Sequence, residues 1–511
     1  MANNAGPNEV GPNGNPGGAP TTRAPKASWR TLVLLGCLIA TFMAAVESSI
    51  VATTIPTIVA DLGGFNVFSW VFTIYLLTQA VSIPIYGRLA DMYGRRPVMF
   101  AGIGLFLIGS TLCGLAWDMP SLIAFRALEG IGAGAIQPIA ATILGDIYSP
   151  TERARVQGLV SSVFGVAAVI GPSLGAFLIQ YITWRAVFWV NLPIGLLAVI
   201  MLTLFLKEGV EPRKRSIDWL GSALLLVGFS ALMVALVQGS QLGAPIVISV
   251  VAAGDTALVV LYLHERTTPE PMLPLELWRT NRLVVVGSLG SCFAGAVMMG
   301  VSAFLPAYVQ GAMGHTAMAG GLVLGAMSVS WALASILAGR LMARTSYRFV
   351  AMLGASALIA GGLMLVALRP DHGPLWASTG SFVIGIGMGF CNTVFIVSIQ
   401  ASVPWGQRGA ATSSSMFLRF VGQALGAAGC GAVLNLTMRA LDPTAAGAVD
   451  GMLDPAIRAT IHPDEVVRLT GILAESLRNA YVLAAVLAVA TLAISSALPR
   501  GLNPRMQVKP D

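Results

Sequence analysis

Gly87-Arg88-Leu89-Ala90-Asp91-Met92-Tyr93-Gly94-Arg95-Arg96-Pro97 is the stretch from which the rest of the chain can be read. Four of these eleven residues are charged: Arg88, Asp91, Arg95 and Arg96. On each side lies a run of about twenty mostly apolar residues, the length that crosses the hydrocarbon core of a bilayer. A short polar loop therefore joins two membrane helices. Arginines this dense are retained on the cytoplasmic side. Gly87 and Gly94 permit a tight turn, and Pro97 suits the first turn of the next helix. A topology anchor would need only the arginines. The acid among them and the paired glycines fit an ion-paired cytoplasmic latch better.

Composition extends this reading to the whole chain. Of 511 residues, 56% are hydrophobic and 10% charged, and the mean hydropathy is +0.78. Soluble domains carry about a quarter charged residues, so lipid is the solvent here. The net charge of +7 reflects positive loops on the cytoplasmic side. No basic patch interleaved with aromatics points to nucleic acid. The five cysteines lie in apolar runs with no CxxC pair and read as small buried hydrophobes. The four histidines are scattered, so no metal site is expected. No lysine follows a glycine, which rules out a GxxxxGK[ST] phosphate loop. Uphill transport would then draw on an ion gradient, with protons as the coupling ion and no cofactor.

The expected fold is an all-α membrane protein with fourteen transmembrane helices. Residues 1–28, rich in Gly, Pro and Asn, should be a disordered cytoplasmic tail. The first apolar run is too long, and lacks the small-residue site, for a cleaved signal peptide. A six-helix half follows at 29–206, then a linker with two extra spans at 207–282. A second six-helix half occupies 283–498, and a cytoplasmic tail 499–511. The last span, about 480–498, follows a polar external loop at 439–479, where Pro463–Asn479 could form a short amphipathic helix. With the N-terminus inside, twenty-two Lys and Arg residues fall in cytoplasmic segments and six outside, as the positive-inside rule requires.

An internal repeat supports two halves. Gly339-Arg340-Leu341 and Arg348 echo Gly87-Arg88-Leu89 and Arg96 at an offset of 252. Gly385-Ile386-Gly387-Met388-Gly389 echoes Gly130-Ile131-Gly132-Ala133-Gly134 at 255. Spans 1–6 thus recur as spans 9–14, with spans 7 and 8 inserted. The second loop lacks the acid, because Ala343 stands where Asp91 would be.

A charged side chain inside a bilayer costs about 2.5–3.5 kcal/mol on insertion scales, so each needs a reason. Glu47 sits in the middle of span 1, where a carboxylic acid in a low-dielectric site can exchange a proton near neutral pH. A neutral acid held for packing is the plainer alternative. Arg126 and Glu129, spaced i and i+3 in span 4, share a helix face, and Gln137 returns to that face three turns on. The pair reads as a proton switch or as a static ion pair. Gly165, Gly171, Pro172 and Gly175 in span 5 permit close helix approach and a kink. Asp255 and Arg419 are the other buried charges. Asp255 reads as peripheral, and Arg419, with Gln423 one turn on, could line a cavity. Asp146 and Asp218, at cytoplasmic helix ends, read as caps or latch partners. Phe42, Tyr75, Gln79, Gln137, Phe304, Tyr308 and Asn392 are aromatic or polar residues of the central spans that could contact a substrate.

Several of these stretches resemble a known family. Gly87–Arg96 resembles the signature loop between spans 2 and 3 of the major facilitator superfamily, where the loop braces helices during alternating access. Phe42–Pro56 resembles the span-1 motif of its fourteen-span drug:proton antiporters, which usually have Asp where this chain has Glu47. Arg126-x-x-x-Gly130-x-Gly132-x-Gly134 is similar to the span-4 motif, whose arginine is linked to proton transfer. The family more often has Gln at position 129, so a titrating Glu129 is read from this chain alone. Gly165 and Gly171-Pro172-x-x-Gly175 resemble the motif that marks antiporters, and Asp218-Trp219-Leu220-Gly221 the start of span 7. The resemblance covers residues 30–500. It implies a proton-coupled antiporter of the multidrug efflux type, in the cell (inner) membrane with both termini cytoplasmic. The expected partners are a small-molecule substrate and the bilayer. The protein is expected to work as a monomer, with periplasmic adaptors as possible partners. Rivals are a dedicated exporter of one metabolite (a basic amino acid, siderophore or antibiotic) and, from other classes, a channel or a membrane enzyme. A polar pore-lining ring or a catalytic constellation, which those would need, is not visible in the spans.

Overall fold

The computed structural model describes residues 27–148, 150–206, 218–239, 242–268, 275–342, 344–404, 408–452, 458 and 460–499. The expected tails, apart from their first or last residues, lie outside the described residues, as do residues 207–217 and Ala343. So does the side chain of Asp91.

The order is α1 (Ala27–Leu62), α2 (Ser69–Tyr93), α3 (Arg95–Gly114), α4 (Met119–Ile147), α5 (Pro150–Tyr181), α6 (Ala186–Trp189), α7 (Asn191–Phe205), α8 (Trp219–Gln238) and α9 (Ala244–Thr267). Then come α10 (Leu275–Thr280), α11 (Arg282–Ser302), α12 (Leu305–Ala307), a π-helical turn at Tyr308–Ala312, α13 (Ala317–Met342) and α14 (Tyr347–Val366). The chain closes with α15 (Gly373–Ala401), α16 (Arg408–Leu441), α17 (Ala445–Met452) and α18 (Pro463–Ser496). Among the described residues, thirteen helical segments are long and apolar enough to cross a membrane. The 32-residue α5 is not one of those thirteen. It packs along α1 and α13.

Two stretches differ from the sequence expectation. The region 439–479 is largely helical: α16 runs to Leu441, α17 follows, and Pro463–Asn479 is the start of α18 and not a separate short helix. Asp464 and Glu465 in the first turn of α18 oppose the positive end of its dipole, which favours one long helix. The expected span at 283–309 corresponds to the segment Arg282–Ala312, interrupted after Ser302, resumed as α12 and ended by the π turn.

The turn that opens the sequence analysis is a single residue. Gly94 alone separates α2 from α3 and has φ of 95°, a conformation that glycine adopts without strain. Arg95 Nε lies 3.2 Å from Asp146 Oδ2 at the end of α4. Arg96 Nη2 donates to Thr203 O of α7 at 3.1 Å. The latch arginines thus tie α3 to α4 and α7 at the basic end of the bundle. Asp146 pairs with Arg95, and Asp218 caps α8 by accepting from Gly221 N at 2.7 Å.

Glycines set the helix contacts. A Cβ on Gly130 would fall 2.4 Å from Tyr75 O, one on Gly132 2.8 Å from Gly102 O, and one on Gly134 2.8 Å from Gln79 O. Gly130 and Gly134 therefore press α4 on α2, while Gly132 presses it on α3. The other half repeats the contacts. A Cβ on Gly385 would meet Met327 O at 2.0 Å, on Gly387 Gly354 O at 2.7 Å, and on Gly389 Trp331 O at 2.5 Å. Each carbonyl lies 252 positions beyond its counterpart.

The two halves meet through α5 with α13 and α2 with α16. Among the described residues, hydrogen bonds between them sit at the end opposite the basic loops. Asn435 Nδ2 donates to Asn66 O at 2.6 Å, and Gln310 Nε2 to Thr53 O at 3.2 Å. Phe68 stacks edge-on against Phe304 at 5.3 Å. The inserted hairpin α8–α9 leans on α2 and α16 through α8. Only 17% of the apolar window of α9 is buried, against 78% for α2, so α9 faces lipid.

Candidate functional site: a carboxylate–guanidinium cluster inside the first half

The site begins with three side chains that water cannot reach. Glu47 and Glu129 are 0% exposed and Arg126 is 1% exposed. Arg126 Nη1 donates to Glu47 Oε1 and to Glu129 Oε2, both at 2.7 Å. The i, i+3 spacing within α4 makes the Glu129 contact local, whereas Glu47 comes from α1, 79 positions away. The guanidinium is held on its other sides as well. Its Nε donates to Val71 O at 3.2 Å, and its carbon stands 4.0 Å from the centre of the Tyr75 ring, a cation–π contact.

A second group of residues holds the carboxylates. Asn191 Nδ2, at the start of α7, donates to Glu47 Oε2 at 2.6 Å and to Ser110 Oγ at 2.9 Å. Ser110 Oγ donates to Phe188 O at 2.8 Å, and Cys113 Sγ lies 3.4 Å from Glu129 Oε2. Gly109 makes room, since a Cβ there would fall 2.5 Å from Glu129 N. Asn191, Ser110 and Cys113 were not foreseen from the sequence. Asn191 was visible as a lone amide in an apolar run, but nothing local shows that it meets a residue 144 positions earlier. Glu129 Oε1 and Asn191 Oδ1 are buried with no hydrogen-bond partner among the described residues. Such acceptors are costly unless a proton or water satisfies them.

Charge decides what the cluster can do. With both carboxylates ionised it carries −1, and with one protonated it is neutral. A net charge in a dry interior is expensive. Among the described residues the other half has no such cluster. At the offset of 255, Ser381 and Ile384 stand for Arg126 and Glu129, and at 252 Met299 stands for Glu47. Ser381 Oγ donates to Val323 O at 2.5 Å, the carbonyl equivalent to the one Arg126 takes.

The span-5 glycines lie one turn from Glu47. A Cβ on Gly171 would meet Ser49 Oγ at 2.1 Å, and one on Gly175 would meet Ile50 Cγ1 at 2.9 Å. Pro172, between them, faces Gly321 of α13 in the other half, where a Cβ would fall 2.8 Å from Pro172 Cβ. Thus α5 grips α1 with its glycines and touches the second half with its proline. For Gly165 only the helical backbone is described.

The proposed substrate contacts separate. Tyr75 belongs to the charge cluster. Phe304 is buried against Phe68. Tyr308 is 1% exposed and donates to Leu368 O at 3.1 Å, so it packs within the second half. Gln79 is buried on α2, and Phe42 packs against Ala45, Val46 and Ala167. Gln137 and Asn392 keep partial exposure, and Asn392 Oδ1 accepts from Arg419 Nη1 at 3.3 Å. Among the described residues, no three His, Cys, Asp or Glu side chains come together as a metal site.

Helical halves that meet in the membrane, with an ionisable cluster sealed inside one of them, define a multi-pass membrane transporter. The chain belongs to the Major Facilitator Superfamily, whose family profile matches residues 37–427. It is 35% identical over 409 residues to Multidrug resistance protein 3 of Bacillus subtilis (strain 168), covering 80% of each chain. It is 34% identical over 417 residues to the Multidrug transporter protein MdtP of the same organism, covering 80% of this chain and 76% of that one. Among solved structures, a bacterial homolog to the human lysosomal transporter Spinster, inward-facing and occupied, superposes with a TM-score of 0.63. That match covers 92% of this chain and 97% of the other at 18% identity, a likeness of fold alone.

Proposed function

We propose that the chain is a proton-coupled antiporter that exports small amphipathic compounds by alternating access, with Glu47, Arg126 and Glu129 as the coupling site. The observation that carries this is the pair of buried carboxylates on one guanidinium nitrogen, 2.7 Å on each side. One guanidinium balances one carboxylate, and the second acid is free to trade a proton. Substrate entering from the basic end displaces that proton, the halves rock, substrate leaves, and a proton from outside resets the carrier. The rocking is driven by the difference in binding between the two states.

The site is closed in this conformation. Proton exchange therefore requires movement among α1, α5 and α7, the helices that carry Glu47, the Gly171-Pro172 pair and Asn191. Contacts between the halves at the end away from the basic loops fit a carrier closed on that side. The matching glycine contacts in α4 and α15 support two six-helix pseudo-repeats, and α5 as a further span gives the fourteen-span layout. The basic loops favour cytoplasmic termini in the cell membrane. We take the working unit to be a monomer, alone or with periplasmic adaptors.

The test is efflux of a cationic dye from proteoliposomes under an imposed proton gradient, wild type against Glu47→Gln. Gradient-dependent efflux lost in the variant supports the reading, and equal efflux by both removes Glu47 from coupling. Efflux of a single metabolite and of no dye would favour a dedicated exporter.

A further inference from the structure

The second half carries an arginine in the middle of a membrane-crossing helix that the coupling site does not use. Arg419 lies on α16, within the membrane-crossing segment Ala411–Leu441. Arg126 in the first half faces two carboxylates, whereas Arg419 faces none among the described residues. Its polar partner among the described residues is a neutral amide: Nη1 donates to Asn392 Oδ1 at 3.3 Å. Its Nε is buried without a partner among the described residues. The sequence explains why. Between Glu276 and Asp442 the sole acidic residue is Asp371, in the turn Pro370–His372 at the far end of the bundle. The acids of the last span, Asp464, Glu465 and Glu475, lie in its first thirteen residues, where Glu465 pairs with Arg468 and Glu475 with Arg478.

The guanidinium carbon stands 5.0 Å from the centre of the Phe420 ring, and the rest of its surroundings is packed on one side only. Gly295 of α11 lies beneath it, and a Cβ there would fall 3.3 Å from both Arg419 Cγ and Gln423 Cγ. Arg419 and Asn392 retain partial exposure, while Phe417, Phe420, Val421 and Gln423 are buried. The packed side of α16 is therefore closed and the Arg419–Asn392 side is open. An unbalanced cation at membrane depth is costly, and arginine's planar fork suits bidentate capture of a carboxylate.

We infer that Arg419, with Asn392 beside it, binds an anionic group of the transported compound, so that the carrier takes amphipathic molecules bearing a carboxylate. This rests on the reading of the chain as an exporter and names the chemistry of its cargo. The first half holds the proton, and the second half holds the acid group of the substrate.

The experiment measures binding of two dyes to the full-length protein in neutral detergent, by fluorescence polarisation and with no proton gradient. One dye is a rhodamine with a free carboxylate, and the other is the methyl ester of the same dye. Wild type should bind the acid more tightly than the ester. Arg419→Gln should weaken the acid by about ten-fold, the worth of one charge-assisted hydrogen bond, and leave the ester within about two-fold. Arg419→Lys should recover part of the loss for the acid. Equal weakening of both dyes shows a packing role and overturns the inference, as does an acid form bound no better than the ester by wild type. Adding phosphatidylglycerol to the micelles identifies the remaining source of an anion. Displacement of the acid dye by this lipid but not by phosphatidylcholine assigns Arg419 to a lipid phosphate and overturns the substrate assignment. Because no gradient is used, failure of proton coupling leaves these results unchanged.

Discussion

Two carboxylates on one guanidinium should not behave as two independent interactions. Glu47→Gln keeps a hydrogen-bond acceptor for Arg126 and leaves Glu129 opposite it at 2.7 Å. The loss is the difference between a charge-assisted and a neutral hydrogen bond, about 1 kcal/mol. Glu129→Gln alone should cost about the same. The double variant leaves a guanidinium that is 1% exposed with no counter-charge, which costs about 3–5 kcal/mol. The two changes together should therefore exceed the sum of the singles by about 1–3 kcal/mol. Reversible unfolding of all four proteins in mixed micelles measures this coupling directly. Additivity to within about 0.5 kcal/mol would refute the charge-balance reasoning, because each carboxylate would then act without reference to the other.

Other predictions follow from single contacts. Gly385→Ala places a Cβ 2.0 Å from Met327 O and should cost about 1–3 kcal/mol in the same unfolding assay; Gly87→Ala meets nothing within 4 Å and should stay within about 0.5 kcal/mol of wild type, so any loss of efflux there reports on the latch itself. Asn191→Ala removes the 2.6 Å bond to Glu47 and should cost about 1–3 kcal/mol, with slower gradient-driven dye efflux in proteoliposomes. Asp442, outside the spans, is held down to about 2 by hydrogen bonds from Arg468 and Thr444, against an ordinary value of 3.8. Its depressed value means that its stabilisation is complete above pH about 4 and lost as pH falls through about 2; Arg468→Gln should shrink that acid-side loss, measured by unfolding across the same window.

The membrane class and the positions of most spans were legible because their signals are local or periodic. A run of about twenty apolar residues names a span wherever it sits, and the offset echoes of Gly87 and Gly130 needed no structure. Arg126 and Glu129 were legible as a pair because three residues apart on a helix means one face. The helical extent of 439–479 was missed because its residues are polar, and hydropathy reports transfer into lipid, not helix formation at the membrane edge.

What only the tertiary structure decided was which distant residues share a charge. Composition could place Glu47 in lipid, but not against Arg126, 79 positions on, nor against Asn191 from a third helix. Those contacts depend on how closely α1, α3, α4 and α7 approach, which glycines such as Gly109 and Gly132 set in three dimensions. The same holds for Arg419. Its charge, and the scarcity of acids between Glu276 and Asp442, were plain in the sequence, but that Asn392 is the group beside it is a property of the space around it. Electrostatic balance in a low-dielectric interior is settled by distances of a few ångströms, and the order of residues along a chain does not contain them.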